Sequence, residues 1–333
     1  MNLDSAIIEL LGLDPANASV SSAGEGGCSS ASTSKITATL PDGSEKKYFM
    51  KSGSGKDAET MFKGVHASMK AIHDVVPTLC PRSYGHGKFG ENSSKHFLVT
   101  DFLDLSPRFG SSSSSSSAPS LAAKLAKLHT TPAPTPQGYN RPQFGFPATT
   151  CCGDTPQGNS YKSSWADFYA ENRLMFILKR SEASNGSDRE LRQMIETTAY
   201  KVVPRLLGDD HLNDGKGVTP VVVHGDLWSG NASKGKLPGM QDSEDVIFDS
   251  SAVYAHSEFE LGIMNMFGGF GRDFFSEYHK LVPKTEPVEE YKDRVDLYEL
   301  YHRLNHYAMF GGGYRSGAAR IMKGLIDKYG DDY

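Results

Sequence analysis

Apolar residues recur along this chain with two periods, and the change from one to the other divides it. Residues 4–12 read as a short amphipathic helix. Alternation in Lys35-Ile36-Thr37-Ala38-Thr39-Leu40 predicts a strand, Pro41-Asp42-Gly43-Ser44 a turn, and Tyr48-Phe49-Met50-Lys51 the returning strand. From Asp57 the spacing becomes helical, with Met61, Phe62, Val65, Met69 and Ile72 on one face. Phe97-Leu98-Val99-Thr100-Asp101-Phe102-Leu103 predicts a buried strand leading into a crossover. Helical patterns then dominate: Leu121 to His129, Trp165 to Arg180, Glu190 to Leu207, Glu258 to Phe267, Val288 to Phe310 and Arg315 to Tyr329. An extended segment at Pro132, Pro134 and Pro136 and short strands at Val218–Val223 and Val246–Phe248 interrupt them. The fold class expected is α+β, with a β-rich N-terminal lobe over residues 1–103 and a mainly helical C-terminal lobe over residues 104–333.

Two low-complexity stretches stand outside this pattern. Ser111 to Ser117 is an unbroken serine run and reads as a solvated loop. Ser21 to Ser34 consists almost wholly of Gly, Ser, Ala and Thr and holds Gly24-Glu25-Gly26-Gly27-Cys28 just before the first strand. A glycine-rich hairpin followed by a strand-borne lysine, here Lys51, is how kinase-like small lobes cover the phosphates of ATP. Taken alone the pattern is weak, because Gly/Ser-rich loops are common and many strands end in lysine.

Composition narrows the function classes. The 333 residues suffice for about two lobes. A net charge of −5 leaves no basic excess to neutralise nucleic-acid phosphates. The N-terminus lacks the basic start and apolar core of a signal peptide, and no apolar run approaches the ~18 residues that span a bilayer. A soluble, cytoplasmic protein with no membrane or nucleic-acid partner is expected. The four cysteines, Cys28, Cys80, Cys151 and Cys152, have no metal-binding spacing and are expected as thiols.

The chemistry is carried by His224-Gly225-Asp226-Leu227-Trp228-Ser229-Gly230-Asn231, which comes after the apolar run Val221-Val222-Val223 and precedes Asp249. Phosphoryl transfer requires a base to orient the attacking hydroxyl and oxygen ligands for magnesium. Asp226 can supply the first, and Asn231 and Asp249 the second. The plainer reading is a polar turn that caps a helix. With this loop in place, the two lobes fit a bilobal protein-kinase-like fold, Lys51 gains a phosphate role, and backbone groups near Asp101 and Leu103 fall where a hinge holds adenine.

Further segments give the chain a family resemblance: Phe144-Gly145-Phe146, Thr150-Cys151-Cys152-Gly153, the run from Phe248 to Leu261, Met266-Phe267-Gly268-Gly269-Phe270 and Leu304-Asn305-His306. From about Gly24 to about Leu325 the chain resembles the fructosamine-3-kinase and ketosamine-3-kinase family, in its protein-ribulosamine 3-kinase branch, within the aminoglycoside-phosphotransferase-like kinases. The resemblance implies an ATP- and Mg²⁺-dependent kinase that phosphorylates the 3-hydroxyl of ribulosyl or fructosyl groups on lysine amines, so that the adduct breaks down and the lysine is regenerated. Glycated proteins or free ketosamines are the implied partners. By resemblance Lys51 contacts the ATP phosphates beside Gly26, Gly27 and Cys28, Asp226 is the catalytic base, and Asn231 and Asp249 hold the metal. Trp228, Asn305 and His306 border the acceptor pocket, while Glu258 and Glu260 support the metal site from behind. Cys28, at the tip of the glycine-rich loop, is a candidate for redox control and for a disulfide-linked homodimer. One departure stands out. Val65 occupies the position where the family carries a glutamate that pairs with the strand lysine, and Glu59 lies too far round the helix to replace it. Another small-molecule kinase of the same fold, or an ATP-binding scaffold with weakened catalysis, are the competing readings.

Overall fold

The computed structural model describes residues 3–23, 31–105 and 118–331. Gly26, Gly27 and Cys28, with the roles expected of them, lie outside the described residues. Helix α1 (Ser5–Leu11) starts at Asp4, whose carboxylate accepts the Ala6 N–H at 2.9 Å. Next comes an antiparallel sheet, built from β1 (Ala18–Ser22), β2 (Ser32–Thr39), β3 (Glu45–Ser54), β4 (Ser83–Lys88) and β5 (Lys95–Asp101) in the order β1-β2-β3-β5-β4. Helix α2 (Gly55–Val75) links β3 to β4.

The two-residue period of the strands explains where the lysine goes. Ile36, Ala38, Tyr48, Met50, Phe97 and Val99 share a core with Leu3 and Ile7 of the N-terminal segment. Lys51, one residue out of phase with Met50, projects from the other face of β3. The helical stripe of α2 is buried as expected, but in different company. Met69 and Ile72 join Leu79, Leu125, Leu128, Leu227, Ile247 and Leu261, so the helix of the small lobe shares a core with the large one.

The large lobe opens with β6 (Asp104–Leu105), α3 (Leu121–Thr130) and a two-strand ribbon of β7 (Cys151–Cys152) and β8 (Thr155–Pro156). Helix α4 (Trp165–Tyr169) passes through a π-helical stretch (Ala170–Met175) into α5 (Phe176–Asn185). Helix α6 (Arg189–Thr197) likewise passes through Thr198–Val202 into α7 (Val203–Leu207). Short antiparallel strands β9 (Val221–Val223), β10 (Ala232–Lys236), β11 (Glu244–Ile247) and β12 (Val253–Ala255) form the platform of the site. Helices α8 (Phe259–Phe267), α9 (Arg272–Leu281), α10 (Tyr291–Phe310) and α11 (Tyr314–Tyr329) complete the lobe. The buried Lys124 of α3 ties the platform to the small lobe, with Nζ at 2.7 Å from Glu244, 2.9 Å from the Asp245 carbonyl and 3.1 Å from the Thr78 carbonyl.

Several elements lie outside the sequence pattern. β1 is mostly exposed and serine-rich and β4 carries glycines at alternate positions, so neither shows a clear apolar period, whereas α9 does carry one, in Phe274, Phe275, Tyr278 and Leu281. Among the described residues, no helix is long and apolar enough to cross a membrane.

Candidate active site

Three buried valines of β9 deliver the chain to His224, which is itself fully covered. The imidazole ring organises the turn beyond it. Nδ1 accepts the Asp226 N–H at 3.2 Å, which leaves Nε2 to donate to the Phe248 carbonyl at 2.9 Å. Burial holds the ring's pKa below its ordinary value, consistent with this neutral tautomer. The His224 carbonyl accepts the Ser251 N–H at 2.8 Å, so the segments bearing Asp226 and Asp249 are joined through one residue. At Gly225 the backbone turns with φ of +81°, and a Cβ there would lie 2.1 Å from the Ser251 carbonyl oxygen. No side chain fits that approach.

Beyond the turn, Asn231 is oriented by its own amide. Its Nδ2 donates to the Asp226 carbonyl at 2.8 Å, and its main-chain carbonyl accepts the Phe248 N–H at 3.0 Å. Oδ1 is therefore the atom available to a cation. Asp249 has φ of +55°, a left-handed conformation that costs a non-glycine residue energy. Lys51 Nζ forms an ion pair with Asp249 Oδ1 across the cleft. Asp226 lies close enough to Asp249 to feel its charge. Burial first, and then the Asp249 and Glu260 carboxylates, push its pKa up to about 8, against a hydrogen bond from the Cys152 thiol.

Lys51, Asp226, Asn231 and Asp249 are thus brought together as the spacing suggested. The arrangement sets a buried carboxylate near two further oxygen donors and an ammonium, groups of the kind that phosphoryl transfer uses. The fructosamine kinase family model matches residues 15–328. The chain belongs to the fructosamine kinase family. Relatives of this family member include a ketosamine-3-kinase of Mus musculus, 34% identical over 301 residues that cover 85% of this chain and 89% of the relative. A chloroplastic protein-ribulosamine 3-kinase of Oryza sativa subsp. indica is 36% identical over 276 residues, covering 83% and 71%. A structure of a candidate fructosamine-3-kinase from Thermobifida fusca superposes with a TM-score of 0.72 at 21% identity, covering 98% of each chain. An aminoglycoside phosphotransferase, solved with AMP-PNP and hygromycin B, superposes with a TM-score of 0.52 at 13% identity over 98% and 97% of the two chains. These two share the fold, which is the α+β kinase-like architecture expected.

Several features of this family member could not be read from spacing. Glu260, in the first turn of α8, accepts the His224 N–H at 2.5 Å and the Gly225 N–H at 3.0 Å, and so grips the catalytic loop by its backbone. Burial opposes its charge, but His129 and His224 hold its pKa below the ordinary glutamate value. Glu258 does something else. It pairs with the buried Arg294 at 2.8 Å and accepts the Thr285 N–H at 2.8 Å, anchoring α8 to α10. The partner missing at Val65 is replaced by Asp249 itself. Val65 is half-buried against the shared core, one turn before Ser68, whose hydroxyl accepts the Ala252 N–H at 3.0 Å.

The expected acceptor residues separate. Trp228 is exposed beside the base and packs against Phe267, with centroids 5.8 Å apart. His306 joins the same wall, 5.2 Å from Phe267, with Nδ1 bonded to the His302 carbonyl at 2.7 Å. Asn305 is fully buried and donates to the Cys152 carbonyl at 3.1 Å, so it braces β7 from behind. At the crossover, the Asp101 N–H donates to the Arg82 carbonyl at 2.9 Å, and its carboxylate accepts from Arg82 N at 3.0 Å and the Tyr84 hydroxyl at 2.7 Å. Asp101 therefore shapes the segment before the crossover, and Leu103 packs over Gly235 of β10.

Proposed function

We propose that this chain transfers the γ-phosphoryl group of ATP to the 3-hydroxyl of a ketosamine, a ribulosyl or fructosyl group on a lysine amine, and so starts the removal of that adduct from glycated proteins. The observation that carries this reading is the convergence of Lys51, Asp226, Asn231 and Asp249 in a chain matched along almost its whole length by the fructosamine kinase family. The sugar O3 attacks the γ-phosphorus in line, the bond to the β-phosphate oxygen breaks, ADP leaves, and the O3 proton passes to a carboxylate oxygen of Asp226. Little covalent work is asked of the protein, so positioning and charge carry the rate. Lys51 holds the phosphate tail, and Glu260 and His224 keep the loop in place through its main chain.

The site also fits magnesium. Asn231 Oδ1 and the Asp249 carboxylate are hard oxygen donors, and Mg²⁺ in such sites takes only one or two protein ligands besides phosphates and water. Bound there, Mg²⁺ would offset charge on the transferring phosphoryl group. Asp249 is one of the groups that raise the Asp226 pKa, so a cation bound at Asp249 would lower it again and favour the ionised carboxylate that accepts the O3 proton. We place the reaction in the cytoplasm, where the free thiols of Cys80, Cys151 and Cys152 are at home. The test is ADP release from Mg-ATP with ribulosyl-Nα-acetyl-lysine, its fructosyl counterpart, kanamycin and choline. Turnover confined to the ketosamines is expected. Turnover of kanamycin or choline instead would replace this reading with another kinase activity, and turnover of none would leave an ATP-binding scaffold.

A further inference from the structure

Five aromatic rings run outward from the catalytic loop over the surface of the large lobe. Trp228 meets Phe267 at 5.8 Å, Phe267 meets His306 at 5.2 Å, and His306 meets both Phe310 at 5.7 Å and Tyr314 at 5.2 Å. They come from four places in the chain: the loop after β9, the end of α8, the end of α10 and the start of α11. Phe310 is 68% exposed, Phe267 41% and Trp228 36%. Contiguous exposed aromatic surface of this kind marks interaction sites.

The strip is held in shape. A Cβ on Gly230 would lie 2.1 Å from the Trp228 ring, so the indole lies down on the backbone at Gly230. A Cβ on Gly269 would lie 2.5 Å from Ser229, so the segment after α8 is seated on the catalytic loop and Phe267 with it. The hydrogen bond from His306 to the His302 carbonyl fixes the third ring. Preorganised rings bind with little loss of side-chain entropy. The ring at the centre of the strip also resists taking a charge. Burial holds the His306 pKa below its ordinary value. The nearby Arg303 is paired with Glu299 at 2.5 Å, and Glu299 also accepts from Asn265 at 2.6 Å.

The strip is longer than the small substrate needs. A lysine stem leaving a sugar at Asp226 can lie on Trp228, the first ring. Phe310 and Tyr314 lie three ring-to-ring steps further out, beyond a single side chain. We infer that the rings from Phe267 outward form a docking strip for apolar residues that flank a glycated lysine in an extended polypeptide. This inference rests on the ketosamine reading and names its macromolecular substrate class: glycated lysines next to aliphatic or aromatic residues on accessible chain segments. Continuity of the strip with the acceptor wall, starting beside the base, ties the occupant to the substrate rather than to an unrelated partner.

The experiment compares three ketosamines: ribulosyl-Nα-acetyl-lysine, a ribulosyl-lysine peptide with Leu and Phe flanks, and the same peptide with Ser flanks. Wild type, Phe310→Ser and Phe310→Leu are assayed with Mg-ATP, with melting curves to confirm folding. For wild type, KM for the apolar peptide is expected about tenfold below that for the serine peptide, equivalent to about 1.4 kcal/mol. Phe310→Ser should abolish most of that difference and leave kcat and the small ketosamine untouched, while Phe310→Leu should keep most of it. Equal KM values for the two peptides, or an unchanged preference in Phe310→Ser, would overturn the docking strip while leaving the ketosamine reading intact. Failure of wild type to turn over any of the three would overturn both.

Discussion

Replacing the base should make the protein inactive and more stable at once. Asp226→Asn keeps the shape of the side chain and removes the proton acceptor, so kcat should fall about 10²–10⁴-fold, the usual worth of general-base assistance. The stability effect arises from linkage. The Asp226 carboxyl has an ordinary value of 3.8 and is pushed up to about 8 in the folded protein, first by burial and then by Asp249. Below about pH 4 the carboxyl is protonated in both folded and unfolded chains, and the two proteins should be alike. As pH rises from about 4 to 8, the unfolded chain ionises while the folded one keeps its proton, so wild type loses stability that the asparagine variant retains. Above about pH 8 both states are ionised and the difference levels off. A shift of this size corresponds to a ceiling of about 6 kcal/mol at about 1.4 kcal/mol per pH unit. The side chain keeps partial contact with water, which screens the effect and brings the expected gain to about 1–3 kcal/mol at pH 8. Urea denaturation of both proteins at pH 5, 6.5 and 8, without nucleotide, measures it. A gap that grows with pH supports the reasoning. A variant that is less stable at pH 8, or a gap that shrinks as pH rises, would refute it, as would ketosamine turnover near the wild-type rate.

Asp249→Ala should abolish productive Mg-ATP binding in isothermal titration. Glu258→Gln should leave that binding nearly intact but destabilise the protein by about 3–5 kcal/mol in melting experiments, because it leaves the Arg294 guanidinium buried and unpaired. Val65→Glu offers Lys51 a second carboxylate and releases Asp249 toward the metal, so the Mg²⁺ concentration at half-maximal rate should fall; an unchanged Mg²⁺ dependence would mean that the Lys51–Asp249 pair does not compete with the cation. Gly225→Ala places a methyl group 2.1 Å from the Ser251 carbonyl and should cost at least about 2 kcal/mol of stability together with nearly all activity, read by urea denaturation and ADP release.

How much of this was legible depended on whether the information was local. The loop from His224 to Asn231 was, because His224, Asp226 and Asn231 contact one another within a short stretch of chain and their spacing can be read directly. Strand β3 and Lys51 were, through the alternation that turns Met50 to one side and Lys51 to the other. The partner of Lys51 was not, since the pairing with Asp249 spans 198 positions and only the fold brings them together. Glu260 was visible as a helix-opening acid, but nothing in the pattern shows that it binds the backbone of His224 and Gly225. Asn305 and His306 are adjacent in sequence and share a helix, yet a rotation of 100° between neighbours sends the first into the core and the second out against Phe267. β1 and β4 escaped because serine and glycine leave no apolar period to detect, whereas α9, with Phe274, Phe275, Tyr278 and Leu281 at helical spacing, was legible in principle.

The position of α2 has a mechanical consequence. Met69 and Ile72 are packed into the large-lobe core, Ser68 is bonded to Ala252, and Lys124 clamps the Thr78 carbonyl just beyond the helix. The sheet above it has a separate core, shared with α1. Helix α2 is tied to that sheet as well: His66 bonds Ser83 of β4 at 2.8 Å, and a Cβ on Gly53 of β3 would lie 3.0 Å from Ala58. The helix is thus a spine fastened to both cores. A shift of the platform below is handed on to the strand that carries Lys51, and the Lys51–Asp249 contact spans the same gap from the other side.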